Sequence, residues 1–294
     1  MKEKKNNLGE IKIENKEINK DLKQDIDKDK DKDINSNIKK RNYIIIFGVI
    51  SVFLVIFMHI YVRNLINSFL KMLSESINLL KEYNITDGFN FGLTREELKN
   101  MFFAKIYWIR AILKILIFGF PILIYLLKKN TLEFLSFEKK INPKVIYLAF
   151  IILIGTFLGF YIIKDFLDMN EIKEKIHRVS ISRLNYIFMY IYIFTVNAFL
   201  EEVFFRGFIY LELKKYIKDI DANIFSSILF GIYHIGIVGE LSVRLGILSV
   251  VGLFLVGIVF NLVNKKRDNV YTSYILHASS NIAINTIGLI YAFM

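Results

Sequence analysis

Residues 184–213 read LNYIFMYIYIFTVNAFLEEVFFRGFIYLEL. A helix needs about 20 apolar residues to cross a hydrocarbon core of about 30 Å, and this run is long enough to do so. Yet it carries Glu201, Glu202 and Arg206. Ionisable groups inside a spanning helix are costly, so they mark function by default. Working outward, further apolar runs follow the same length rule. They are Tyr43–Val62, Ile106–Leu127, Val145–Ile163, Ala222–Gly239, Val243–Val263 and Val270–Met294. The expected fold is an all-α, polytopic transmembrane helical bundle of about seven spans.

The composition supports that class. Hydrophobic residues make up 54% of the 294-residue chain and the mean hydropathy is +0.41, yet 23% of residues are charged. The charges gather outside the apolar runs, which excludes an ordinary soluble globular domain. Residues 1–41 hold 13 Lys/Arg and 10 Asp/Glu, with DKDKDKD at Asp27–Asp33. Alternating sign with no apolar face predicts a disordered or fraying helical tail, and the opening residues lack the apolar core of a secretory signal. The expected organisation is therefore a charged cytoplasmic tail over 1–41 and a transmembrane domain over 42–294. Cysteine is absent, which removes disulfides, thiolate metal sites and a cysteine nucleophile. The net charge of +11 reads as basic loops against an anionic lipid surface rather than as nucleic-acid binding, because no nucleic-acid module accompanies it.

Loop charges set the expected orientation. Lys39-Lys40-Arg41, the five lysines of 128–144, the three of 214–221, and Lys265, Lys266 and Arg267 share one side if the seven spans alternate. The positive-inside rule makes that side cytoplasmic, with the N-terminus inside. Leu65–Glu82 and Arg95–Lys105 are amphipathic enough to lie on the outer leaflet as interfacial helices. Gly155 and Gly159 form a GxxxG, a pattern that permits close helix contact. The bias toward Lys, Asn and Ile fits a bacterial membrane protein encoded by low-GC DNA.

Three spans carry polar groups that can act together. They are Glu201, Glu202 and Arg206 in the fourth, His234 after Phe230 in the fifth, and His277 and Asn281 in the seventh. Residues four apart share a helix face, so Glu202 and Arg206 can pair, and His277 and Asn281 point the same way. Glu201 is turned about 100° from Glu202, and its i+4 neighbour is the uncharged Phe205. It is thus expected to be a carboxylate without a local partner, suited to general-base work. A carboxylate and a histidine can deprotonate water, while a second histidine and an amide can donate to a developing oxyanion. Glu201, His234 and His277 also make a possible His₂Glu zinc set, but no HExxH organises it. His59 and His177 read as non-catalytic. Arg110 and Lys114, on one face of the second span, read as snorkelling or lining a wet cavity.

EExxxR at Glu201, Glu202 and Arg206, FxxxH at Phe230 and His234, and HxxxN at His277 and Asn281 stand in one order along about 184–285. That set resembles the CPBP family of intramembrane proteases, the CAAX-protease and bacteriocin-processing enzymes, including Ras-converting-enzyme-like and lysostaphin-resistance-like members. The resemblance implies an intramembrane endopeptidase acting on membrane-associated peptides or proteins in the lipid bilayer. It implies that Glu201 activates water, His234 assists, His277 and Asn281 hold the oxyanion, and Glu202 and Arg206 are structural or orient substrate. No cofactor is expected, with zinc at Glu201, His234 and His277 as the minority alternative. Tyr233 departs from the small residue common before the second-motif histidine. The rival expectations are a non-catalytic membrane scaffold of the same fold and a transporter. No internal repeat or pair of broken helices supports the transporter.

Overall fold

The computed structural model describes residues 32–65, 68, 69, 71, 72, 75, 95–128, 133–135, 143–164, 183–238 and 242–293. Among these, regular structure is helical throughout and no strand occurs. The helices are α1 (Lys32–Leu65), α2 (Arg95–Leu127) and α3 (Lys144–Ile163). In α4, α-helical Arg183–Tyr192, π-helical Ile193–Asn197, α-helical Ala198–Glu201 and π-helical Glu202–Leu211 run on from one another. Then come α5 (Asp219–Tyr233), the short α6 (Ile235–Val238), α7 (Val243–Lys265) and α8 (Tyr271–Phe293).

Five helices are long and apolar enough to cross a membrane: α1, the Tyr107–Leu127 part of α2, α3, α4 and α7. The other two expected spans differ for physical reasons. α5 has 15 residues, about 22 Å at 1.5 Å per residue. α8 has 23 residues, but His277, Ser279, Ser280, Asn281 and Asn285 lower its apolar character. Many large side chains on the five helices face outward, among them Phe53, Phe57, Leu116, Phe120 and Ile151. In lipid such exposure carries no hydrophobic cost, since helices already satisfy their own backbone groups. Arg95–Lys105 is the start of α2 rather than a separate interfacial helix. Leu65–Glu82 falls mostly outside the described residues. So does the expected tail, although α1 is already helical from Lys32.

The core explains the arrangement. α1, α2, α4 and α5 bury one cluster that includes Ile44, Val52, Phe118, Phe204, Phe205, Phe208 and Phe230. Phe118 stacks on Phe204 with ring centroids 4.0 Å apart, and Phe205 meets Phe118 edge-on. Pro121 inside α2 lacks the N–H that would bond the carbonyl of Ile117. Ser51 of α1 donates its hydroxyl to that carbonyl at 3.3 Å, so a defect in one helix becomes a link to another. The close helix approach lies between α5 and α7. A Cβ on Gly257 would come within 3.0 Å of the Ser227 Cα, and one on Gly231 within 3.0 Å of the Val250 carbonyl oxygen. Gly155 and Gly159 do not mark a contact among the described residues, because a Cβ on either meets nothing within 4 Å.

Candidate active site

Glu201 ends the short α-helical stretch between the two π-helical segments of α4 and is buried. One carboxylate oxygen, Oε1, accepts three hydrogen bonds. They come from Lys114 Nζ at 2.6 Å, Asn197 Nδ2 at 2.9 Å and Tyr233 OH at 3.0 Å. Lys114 also donates to Asn197 Oδ1 at 2.5 Å and lies 4.8 Å over the Tyr233 ring. The expectation of a carboxylate without a partner is therefore corrected. Glu201 pairs with a lysine from α2, and Lys114 is buried and lines the cavity, as one of its two expected readings had it, rather than snorkelling.

The other oxygen, Oε2, is buried with no hydrogen-bond partner among the described residues. It lies 4.0 Å from His234 Nε2 and 3.9 Å from His277 Nε2. Each imidazole is oriented through its other nitrogen. His234 Nδ1 donates to the Phe230 carbonyl at 2.7 Å, because a carbonyl oxygen can only accept. His277 Nδ1 donates to Glu202 Oε1 at 2.7 Å. Both rings thus aim Nε2 at the unpartnered oxygen. A water about 2.8 Å from two atoms so spaced sees them at an angle of about 90°, within normal hydrogen-bond geometry.

Glu202 and Arg206 are fully buried, with Nη1 3.3 Å from Oε1. The spacing of four on one helix accounts for this pair. The structure adds a second task for Glu202, which shares the same oxygen with His277. The Arg206 guanidinium lies 3.8 Å over the Phe230 ring and 5.2 Å from the Phe260 ring centroid. Ring faces therefore hold much of its charge. A cavity of about 890 Å³ opens onto the site and is lined by Glu201, His234, His277 and Asn281, together with His59 and Arg110. Asn281 follows His277 by one turn and donates to the Ile193 carbonyl at 3.4 Å. His59 borders the cavity with Nδ1 on the Val55 carbonyl. His177 lies outside the described residues.

Sequence reasoning missed Asn197, Tyr233 and Lys114 as partners of Glu201. The signal for Asn197 was there, because it precedes Glu201 by four residues just as Phe205 follows it by four. Lys114 comes from a helix 87 residues away, and no local rule reaches that far.

Glu201 Oε2 and the two Nε2 atoms are the donors a His₂Glu zinc would use. Ligand atoms about 2.0–2.1 Å from a tetrahedral zinc lie about 3.3 Å apart, closer than the 3.9 and 4.0 Å found here. The Lys114 ammonium on the same carboxylate would also repel a dication. Among the described residues no group of three or more His, Cys, Asp or Glu side chains is placed to hold a metal ion. The residues present therefore fit zinc poorly.

Searches of curated proteins and of solved structures match nothing. A family model, "Type II CAAX prenyl endopeptidase Rce1-like", matches residues 183–283, about a third of the chain. That stretch runs from the start of α4 into α8 and holds Glu201, His234, His277 and Asn281. Over residues 183–283 the chain is therefore similar to the Rce1-like, type II CAAX prenyl endopeptidase family.

Proposed function

We propose that the protein is an intramembrane endopeptidase that hydrolyses peptide bonds in membrane-associated peptides or proteins. The observation that carries this reading is the single open oxygen of Glu201, faced by two imidazole Nε2 atoms about 4 Å away. In this reading Oε2 of Glu201 takes a proton from a water held between it and His234 Nε2, and the water attacks the scissile carbonyl. His277 acts with both ring nitrogens protonated. Its Nδ1–H stays on Glu202 and its Nε2–H meets the developing oxyanion, beside the amide of Asn281. Protonated Glu201 then returns the proton to the leaving amine. Lys114, Asn197 and Tyr233 are positioning residues. Glu202 and Arg206 hold His277 and the α4–α8 contact.

No cation is assigned a part. The Lys114 ammonium already neutralises the carboxylate that would hold one.

The test is a comparison of membrane peptides from cells carrying the wild-type protein or Glu201→Gln. The variant is expected to lose cleavage at normal membrane abundance, because Gln keeps the shape and cannot accept the proton. Cleavage by Glu201→Gln at the wild-type rate would refute the assignment.

A further inference from the structure

Tyr192 stands nine residues before Glu201 on α4. In an unbroken α-helix of 3.6 residues per turn, that spacing sets two side chains about 180° apart. This helix is not unbroken. Tyr192 caps the π-helical stretch Ile193–Asn197, which leads into the α-helical turn ending at Glu201. An i to i+5 bond closes each turn one residue later than in an α-helix, which carries Tyr192 back toward the face of Glu201. Tyr192, Asn197 and Glu201 all line the cavity.

Two rings of α2 hold the phenol in place. Trp108 meets it edge-on with centroids 5.4 Å apart, and Tyr107 does so at 6.1 Å. The next residue, Ile193, offers its carbonyl to Asn281 of α8 at 3.4 Å. Tyr192 is therefore one residue from the point where the amide proposed to hold the oxyanion is anchored. The Glu201 carboxylate also acts on the phenol through space.

The Tyr192 hydroxyl oxygen is buried and has no hydrogen-bond partner among the described residues. Tyr233, the phenol on the other side of Glu201, gives its hydroxyl to Oε1. A buried donor without an acceptor costs free energy in the folded protein, and phenylalanine would fill the same space without that cost. A polypeptide held in a membrane cavity has the opposite deficit. Where it is opened for hydrolysis, its main-chain carbonyls have neither water nor a helix to pair with.

We propose that Tyr192 is a substrate-binding residue whose hydroxyl donates to a main-chain carbonyl of the bound polypeptide, close to the scissile bond. The inference rests on the endopeptidase reading for the class of substrate and adds a contact to it. A main-chain acceptor is favoured over a side chain because every residue of a polypeptide supplies one.

Tyr192→Phe keeps the ring and its edge contacts and removes only the donor. The full-length variant is compared with wild type in detergent, by thermal unfolding and by kinetics on a cleaved synthetic peptide. A hydroxyl without a protein partner adds nothing to folding, so the variant is expected to unfold at the same temperature or higher. Its kcat/KM is expected to fall about 3- to 10-fold, chiefly through KM, the size of one uncharged hydrogen bond. A second measurement locates the acceptor. Each amide of the peptide in turn is made a thioamide, whose sulfur accepts poorly. At one position the change is expected to slow wild type and to slow Tyr192→Phe no further, the non-additivity of a shared contact.

Unchanged kcat/KM in Tyr192→Phe overturns the proposal. So does a lowered unfolding temperature, which means that the hydroxyl has a partner inside the protein, and so do losses that add at every thioamide position. Dye-labelled apolar peptides titrated onto Glu201→Gln, with and without Tyr192→Phe, separate this inference from the protease reading. Weaker binding to the double variant beside an inert wild-type protein would sink the protease reading alone. Cleavage by wild type with equal binding to both variants would sink the Tyr192 contact alone. An inert wild-type protein and no binding to either variant would sink both.

Discussion

At Glu201 the two oxygens of one carboxylate have different surroundings. Oε1 accepts from a lysine, an amide and a phenol, while Oε2 accepts from no described residue. A carboxylate loaded on one side cannot swing, so the open oxygen keeps its line to both imidazoles. A hydrogen bond to a charged group contributes about 1.5–3 kcal/mol, or roughly 10- to 100-fold in rate. Tyr233→Phe is therefore expected to lower kcat by that factor with KM nearly unchanged, as measured on a cleaved peptide. Lys114→Met should cost more, since it leaves a buried carboxylate without its counter-charge, whereas a lysine that only filled space would be replaced by methionine at little loss. Glu202→Gln and Arg206→Ala should lower thermal stability, because removing one member of a buried pair strands the other at about 3–5 kcal/mol. The polar residues that the structure brings together were visible in the sequence as charges inside apolar runs. Their partners were less so. The reading looked one turn forward from Glu201, to Phe205, and not one turn back, to Asn197. Lys114 needed the packing of α2 on α4, which no spacing encodes.

Among elements, apolar run length was the legible quantity. The run Val145–Ile163 and the observed helix Lys144–Ile163 differ by one residue. Where polar residues interrupt a run, as in α8, length alone overstated its likeness to a span. The π-helical stretches of α4 had no sequence signature, because i to i+5 bonding is rare and is settled by packing. The contact that Gly155 and Gly159 permit is not used among the described residues, for a related reason. A GxxxG is common by chance, and only the neighbour facing it decides whether the missing Cβ is used. Gly257→Ala is expected to destabilise the purified protein by about 1–3 kcal/mol, since its new methyl meets Ser227 backbone at 3.0 Å. Gly155→Ala meets nothing within 4 Å and should raise stability slightly through helix propensity. Paired denaturation of the two variants in detergent checks the contrast, and equal losses would contradict it.

For the whole molecule the all-helical membrane class was legible from composition and run length, because separated apolar and charged populations admit few other folds. Which helices would meet was not, since lipid-facing and core-facing residues are both apolar. Proteolysis is expected to survive exhaustive treatment with a strong chelator, because the groups proposed to activate water do so without a cation. Loss of activity on chelation, restored by zinc alone, would reverse that assignment.

The aromatic layer of Phe118, Phe204, Phe205 and Phe208 also has an electrical meaning. Water that fills the cavity carries the potential of the solution it joins down to Glu201. Most of the membrane voltage, about 2.3 kcal/mol per elementary charge at 100 mV, then falls across the packed rings and the roughly 14 Å of α2 between Phe118 and Leu127. Those side chains are the insulator that lets a cell open a wet site in its membrane without discharging it. Phe204→Ala should thin that insulator, and a voltage-sensitive dye should read the leak as depolarisation even when Glu201→Gln has silenced cleavage.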